Sequence, residues 1–313
     1  MRIAVFGTGG VGGYFGARLA AAGVDVVFIA RGEHLAAIRT RGLRLESSLG
    51  DVLVHPAHAS DSPTTVGRVD VGLLGVKTWQ VPEAADAMRP LLGPETCVVS
   101  LQNGIETPAV LADCLGAAHV VGGVCAAFSF IAGPGHIRHM GGTLFVKFGE
   151  LDHQKTARVE QLREAFARAG VVVEVPSDIH VVLWEKFMLV VPLGGLGAVT
   201  RAPIGVLMTV PETRQLVERG LEEMAQVARA QAIPLADDIV ARTLAVLDTL
   251  PPNGTSSLQR DIAAGKRSEL EAWTGAVVRL GAEAGVATPL HTFLYASLLP
   301  LELRARGEGA FPD

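Results

Sequence analysis

The feature that most constrains this chain lies at its start. An apolar run, Ile3-Ala4-Val5-Phe6, breaks at Gly7-Thr8-Gly9-Gly10-Val11-Gly12-Gly13, a helical stretch follows at 14–22, closed by Gly23, and a second apolar run comes at 26–30. A Gly-x-Gly-x-x-Gly motif that follows a strand, opens a helix and returns to a strand is the dinucleotide fingerprint in the context it requires. Gly7 permits the tight turn, Gly9 lets backbone approach a pyrophosphate, and Gly12 lets the helix lie close on the strand. Thr8, Gly10 and Val11 complete the loop, and the helix N-terminus turns its open N–H groups and positive dipole end to the phosphates.

The second run ends in Arg31, nineteen residues beyond Gly12. A site for NAD usually carries Asp or Glu here for the ribose hydroxyls, and that carboxylate would repel a 2′-phosphate. A guanidinium can hydrogen-bond it, so NADP(H) is the expected cofactor. The plainer alternative is a solvated surface arginine.

At 313 residues the chain has length for about two domains. Up to residue 175 short apolar runs alternate with Ala-rich helical stretches, which predicts βαβ units on a parallel sheet, with strands at 3–6, 26–30, 71–76, 97–101 and 120–125. Runs at 128–131, 137–140 and 143–148, separated by Gly133-Pro134-Gly135 and Gly141-Gly142, predict antiparallel strands added at one edge, giving a mixed sheet. From Pro176 onward, with Ser177 and Asp178 as candidate caps, the periodicity is helical, with long helices at 211–230 and 257–283, the latter closed near Gly285. The expected fold is therefore α/β: a doubly wound, Rossmann-type mixed sheet over 1–175 that binds NADP, then an all-α domain over 176–313.

A net charge of −5 gives no footprint for nucleic-acid phosphates. Cys97, Cys114 and Cys125 form no ligand spacing, and the odd count suits a reducing cytoplasm. The N-terminal apolar run is too short for a signal-peptide core. The apolar stretch at 189–208 contains Pro192, Gly194, Gly195, Gly197, Arg201 and Pro203, which oppose a membrane span. His136 and His139, three apart on an expected strand, point to opposite faces, so no metal is expected.

Several separated motifs together resemble the ketopantoate reductase (2-dehydropantoate 2-reductase) family over almost the whole chain. They are the glycine loop, Val76-Lys77-Thr78-Trp79-Gln80, Gln102-Asn103-Gly104, Trp184-Glu185-Lys186, Ser256-Ser257 with Asp261, and Arg267-Ser268-Glu269-Leu270. The resemblance implies a Rossmann domain joined to a helical domain similar to that of 6-phosphogluconate dehydrogenase, with the active site in the cleft between them. Lys77 and Asn103 each follow an apolar strand, so both should project at the carboxyl edge of the sheet, where doubly wound folds bind ligands. By resemblance, Lys77 and Gln80 lie near the cofactor and Asn103 contacts cofactor and substrate; a turn-forming Asn103-Gly104 and a surface Lys77 are the alternative.

Lys186 stands among Val181, Val182, Leu183, Trp184, Phe187 and Met188, surroundings that desolvate an ammonium and lower its pKa toward the range of a proton donor. By resemblance Lys186 is the general acid, Glu269 balances its charge and positions it or the substrate, and Ser257 holds the substrate carboxylate. Ser257 is equally suited to helix capping. The family carries asparagines four and eight residues after the lysine, where this chain has Val190 and Gly194, and Pro192 between them is expected to kink the helix. NADPH-dependent reduction of a 2-oxo acid, as of 2-dehydropantoate to pantoate, is thus the leading expectation, acting on a small carbonyl substrate and leaving a homodimer possible. A reductase of a more apolar carbonyl or an imine, or a non-catalytic NADP-binding sensor, are the alternatives, and retention of both Lys186 and Glu269 argues against the sensor.

Overall fold

The computed structural model describes residues 1–142 and 144–309; Thr143, the first residue of the expected strand at 143–148, lies outside the described residues. The chain divides into two compact units, Met1–Val182 and Leu183–Asp313. In order, the first contains β1 (Arg2–Phe6), α1 (Gly10–Ala21), β2 (Asp25–Ile29), α2 (Gly32–Arg41), β3 (Leu43–Ser47), β4 (Val52–Val54), β5 (His58–Ser60), α3 (Pro63–Val66) and β6 (Val71–Leu74). It continues with α4 (Val81–Met88), β7 (Cys97–Ser100), α5 (Thr107–Leu115), β8 (Val120–Ala126), β9 (Ser129–Gly133), β10 (His136–His139), β11 (Phe145–Glu150), α6 (Ala157–Arg168) and β12 (Val172–Glu174).

Among the described residues, eight strands form the main sheet in the order β12-β11-β8-β7-β6-β1-β2-β5. The central β1 pairs in parallel with β2 (Ile3 opposite Val26) and with β6 (Ile3 opposite Val71), and β11 runs antiparallel to β8. The sheet is doubly wound and mixed. Successive residues feed two cores because side chains alternate across a strand. Ile3, Val5, Phe28, Leu73 and Val99 meet Phe15 of α1 and Phe166 of α6, whereas Ala4, Phe6, Ile29, Leu74 and Val98 meet Ala85 of α4 and Leu111 of α5. Burial on both faces is why these strands read as continuous apolar runs.

The strands expected at 128–131 and 137–140 do not extend the main sheet. As β9 and β10 they join β3 and β4 in a second sheet, order β4-β3-β10-β9, where β10 pairs in parallel with β3, Ile137 opposite Leu45. Of the three expected edge strands, only β11 enters the main sheet. Helix α1 runs between the two sheets: a Cβ on Gly16 would lie 2.6 Å from the Phe28 ring, and one on Gly13 would lie 2.8 Å from Ile137 Cγ1. On β10, His139 is buried with Nδ1 3.0 Å from Ser47 Oγ, while His136 Nε2 lies 3.1 Å from Glu46.

The division between the units falls within α7 (Ile179–Thr200), whose first amides at His180 and Val181 donate to Asp178 Oδ1. The change of pattern at 175/176 lies in the connection between β12 and α7. Helix α7 is long and apolar enough to cross a membrane by length and composition, yet 67% of its most apolar window is buried inside the protein. It runs through Pro192 as one helix and ends at Arg201, so the apolar stretch at 189–208 is not one element.

The second unit continues with α8 (Ile204–Thr209), α9 (Pro211–Ala230), α10 (Ile239–Leu247), α11 (Ser257–Ala263), a π-turn at Glu271–Gly275, α12 (Ala276–Ala284) and α13 (Pro289–Arg306). The helix expected at 257–283 is therefore interrupted. Gly265, at φ 63°, closes α11 with Gly265 N–H on Ile262 O and Lys266 N–H on Asp261 O, a paired-bond ending that needs a left-handed residue. Gly285 closes α12 in the same manner.

The first turn of α13 has no side-chain cap of its own. Glu223 of α9 supplies one, accepting Leu290 N–H at 2.8 Å, His291 N–H at 3.1 Å and His291 Nδ1 at 2.6 Å. Burial pushes the Glu223 carboxyl up, but the His291 ring and the two amides outweigh it and hold the group below its usual range. A carboxyl with a folded pKa below its unfolded one contributes stability above the unfolded value and loses it as pH falls through the folded one. Glu223→Gln should therefore cost about 1.5–3 kcal/mol at neutral pH. The gap from wild type should close below about pH 4. Urea unfolding at a series of pH values reads both; a gap independent of pH would assign Glu223 to packing alone.

Candidate active site

The glycine loop is pinned to the end of β2. Gly7 N–H, Thr8 N–H and Thr8 Oγ1 all donate to Ile29 O, at 3.3, 3.2 and 3.0 Å. Gly7 sits at φ 94°, with Val76 Cγ1 2.8 Å from where its Cβ would be, and a Cβ on Gly12 would stand 2.3 Å from Gly7 O. Gly9 differs: its backbone is extended and nothing lies within 4 Å of its Cβ position. The first bond of the α1 ladder is Gly13 N–H to Gly9 O, so the amides of Gly10, Val11 and Gly12 precede the ladder. An open cradle at Gly9 beside these amides fits a dinucleotide pyrophosphate. On the far side, a Cβ on Gly10 would meet Ser129 O at 2.3 Å, so β9 walls the loop.

His34, which carried no role in the sequence, ties α2 to the turn before β10. Its Nδ1 accepts Gly135 N–H at 3.0 Å, which places the ring proton on Nε2. Burial lowers its pKa, so the imidazole is neutral at neutral pH. Only a contact across the hundred-odd residues from 34 to 135 assigns His34 this position, and no local pattern carries that signal.

Arg31 caps the start of α2 with extended backbone and an exposed side chain, 3.6 Å from the equally exposed Glu83. An exposed pair of this kind is worth little, so the guanidinium can leave it for a ligand. Lys77 follows β6 and opens a short turn, Thr78–Gln80; Gln80 Oε1 accepts Lys77 N–H at 3.2 Å, and Lys77 Nζ lies 5.7 Å from the Trp79 ring centre. Gln80 therefore shapes the turn that presents Lys77. Asn103 follows β7, half-buried, and the residue before it fixes its place. Gln102 Nε2 donates to both Leu74 O and Val76 O, at 3.0 Å each, and so ties the ends of β6 and β7 together.

In the helical unit, Lys186 stands half-buried on α7 with Leu183, Trp184, Phe187 and Met188 buried around it. Lys186, Val190 and Gly194 lie one turn apart in succession on that helix. A Cβ on Gly194 would stand 3.1 Å from both Leu258 Cδ2 and the Trp273 ring, so the indole fills the place of a side chain there. Trp273 N–H donates to Glu269 O at 3.0 Å, one helical turn back, which brings the turn carrying the buried Glu269 to the same helix. At α11 the cap is Ser256, whose Oγ accepts Gln259 N–H at 3.0 Å. Ser257 is the first helical residue, so its hydroxyl is not consumed by capping. Gln259 Nε2 donates to Ala202 O at 3.1 Å, fixing α11 near the end of α7.

Comparison with known proteins adds the following. Family models match twice: Ketopantoate reductase PanE/ApbA over residues 3–153, and Ketopantoate reductase PanE/ApbA C terminal over 178–302. A 2-dehydropantoate 2-reductase of Halobacterium salinarum is 30% identical, with 93% of this chain and 95% of the relative covered. The crystal structure of a PanE/ApbA family ketopantoate reductase from Ralstonia eutropha JMP134 superposes with a TM-score of 0.89 at 35% identity, covering 98% of this chain and all of that one. A D-mandelate dehydrogenase, solved with NADH and anilino(oxo)acetate, shares the fold at TM-score 0.88 and 23% identity, covering 98% of this chain and 100% of that one.

The two motif glycines should separate binding from folding. Gly9→Ala meets no protein atom, so unfolding stability without cofactor should stay within about 1 kcal/mol of wild type. Its methyl would stand where a pyrophosphate approaches, and the dinucleotide Kd should rise at least about tenfold, by roughly 1.4 kcal/mol. Gly12→Ala drives a methyl against backbone and should lower both stability and affinity, with about 1–3 kcal/mol of overpacking. Thermal melts paired with NADPH titration read this out, and normal binding by Gly9→Ala would refute the cradle.

Proposed function

The chain belongs to the ketopantoate reductase family of NAD(P)-dependent Rossmann-fold reductases, and on that premise we propose that it reduces a 2-oxo acid to a 2-hydroxy acid with NADPH. The observation that carries this reading is the arrangement on α7. A lysine stands half-buried among apolar side chains, and the turn bearing a buried carboxylate, Glu269, is drawn to the same helix by Trp273 on Gly194. A non-catalytic binder has no chemical need for that pair.

The bound nicotinamide would supply a hydride to the carbonyl carbon. Lys186 gives its proton to the carbonyl oxygen as negative charge develops there, and its positive charge stabilises the forming alkoxide. Glu269 balances the lysine and keeps it oriented. Ser257 holds the substrate carboxylate through its hydroxyl, and Asn103, set by Gln102, orients substrate and cofactor at the carboxyl edge of the sheet. The glycine loop carries the pyrophosphate, and Arg31 leaves Glu83 to take the 2′-phosphate. Cys97, Cys114 and Cys125 as thiols suit a cytoplasmic enzyme; burial pushes Cys97 up to about 12, so it stays protonated and inert.

The substrate is more apolar than ketopantoate. Val190 offers no amide to a substrate hydroxyl, and at Gly194 the indole of Trp273 leaves no room for one. A buried hydroxyl without a partner costs about 1–3 kcal/mol.

Two measurements test the proposal. Consumption of NADPH should be fastest with hydroxyl-free 2-oxo acids such as 2-oxoisovalerate, and Lys186→Met should lower that rate on the order of a hundred- to ten-thousandfold with NADPH binding intact. Tight NADPH binding with no turnover of any 2-oxo acid would instead support a sensor. Separately, NADPH should bind roughly ten- to a hundredfold more tightly than NADH, and Arg31→Ala should remove the difference. Equal affinities in the wild type would refute the role of Arg31.

A further inference from the structure

Another buried carboxylate of the helical unit has no part in the chemistry above. Glu302, near the end of α13, is 1% exposed, yet it is fully engaged. Its Oε2 accepts Ser268 N–H at 2.9 Å and Ser268 Oγ at 2.5 Å, and its Oε1 accepts Arg306 Nε at 2.9 Å. Ser268 is as buried as Glu302, and its Oγ in turn accepts Leu270 N–H at 3.3 Å. These bonds bracket Glu269 on both sides.

The bracketed segment is where the chain lacks a helix. The ladder of α11 ends at Gly265 and regular bonding resumes only when Trp273 N–H reaches Glu269 O, so the amides of 268 and 270 fall outside both helices. A stretch with unsatisfied backbone in the interior would drift or refold into a continuous helix, as its sequence pattern invites. Three donors converge on Glu302, and a carboxylate has two acceptor oxygens to meet them, whereas an amide of the same shape has one and must turn its NH₂ against a donor. Burying a charge is costly without such pairing, so an ion placed here has a positional use.

We propose that Glu302 is a positioning residue: through Ser268 it holds the non-helical segment that presents Glu269 to Lys186. This rests on the reading of Glu269 given above. Glu302 touches neither substrate nor cofactor in this scheme; it acts from the C-terminal helix by fixing the backbone on either side of Glu269.

The test uses the full chain with Glu302→Gln, Ser268→Ala and Ser268→Thr, the last keeping the hydroxyl. Amide hydrogen exchange at 268 and 270 should quicken roughly ten- to a hundredfold in the first two variants, the range of a charge-assisted bond, while α9 exchanges as in wild type. The kcat for the best 2-oxo acid should fall at least about tenfold with the KM for NADPH unchanged, and Ser268→Thr should restore both readouts. Unchanged exchange at 268 and 270, faster exchange across the whole helical unit, or full kcat despite faster local exchange would each overturn the proposal. If the wild type reduces no 2-oxo acid, the reading of the reaction fails, and exchange alone then decides whether Glu302 holds this segment.

Discussion

Helix α1 lies so close to protein on two sides that side chains are excluded from most of its first two turns, and the cofactor half of the molecule follows from that constraint. Gly12 and Gly16 face Val5, Gly7 O and Phe28 of the main sheet, while Gly10 and Gly13 face Ser129 and Ile137 of the second sheet. The dinucleotide motif accounts for only some of these glycines. The others answer to the second sheet, which the motif does not mention. A helix held on both sides cannot tilt, so its leading amides stay aimed at one point, and Gly9 is left as the opening.

The helical unit achieves comparable rigidity by different means. Two buried carboxylates each give their lone pairs to backbone amides of another segment: Glu223 of α9 at the first turn of α13, and Glu302 near the last turn of α13 at Ser268. Helix α13 is thus tied at one end and ties at the other. The orientation of the Glu269 segment is carried by these polar bonds together with the Trp273 contact at Gly194.

What could be read in the sequence was whatever a local pattern dictates. The strand-loop-helix at 3–22, the apolar strands buried on both faces, the helix Pro211–Ala230 and the closing Gly285 each carry their own signal within a few residues, and each is present. Strands of three residues, such as Val52–Val54 and His58–Ser60, are too short to show a period. The turn at Gly133-Pro134-Gly135 announces a hairpin but not the sheet it joins, and β10 takes as its other neighbour β3, far earlier in the chain. In the same way Gly265 looks like one tolerated glycine within a helical stretch until its left-handed φ ends α11. The glycine loop, Lys186, Glu269 and Ser257 were legible as residue types in order; the bonds of Gln102 to the end of β6, of His34 to Gly135 and of Glu302 to Ser268 span the fold and carry no local pattern.

The contact of Trp273 with Gly194 has a consequence for how such a site can change over evolutionary time. Enlarging residue 194 first would force a polar side chain into the indole and overpack a buried junction, whereas shrinking residue 273 first would leave a void beside Leu258. Either single step passes through a less stable protein, and only the two together reach a packed, amide-bearing site. The two positions are separated by a stability valley, so lineages on either side of it should keep their pairing, and a change at one should require both codons to change in near succession.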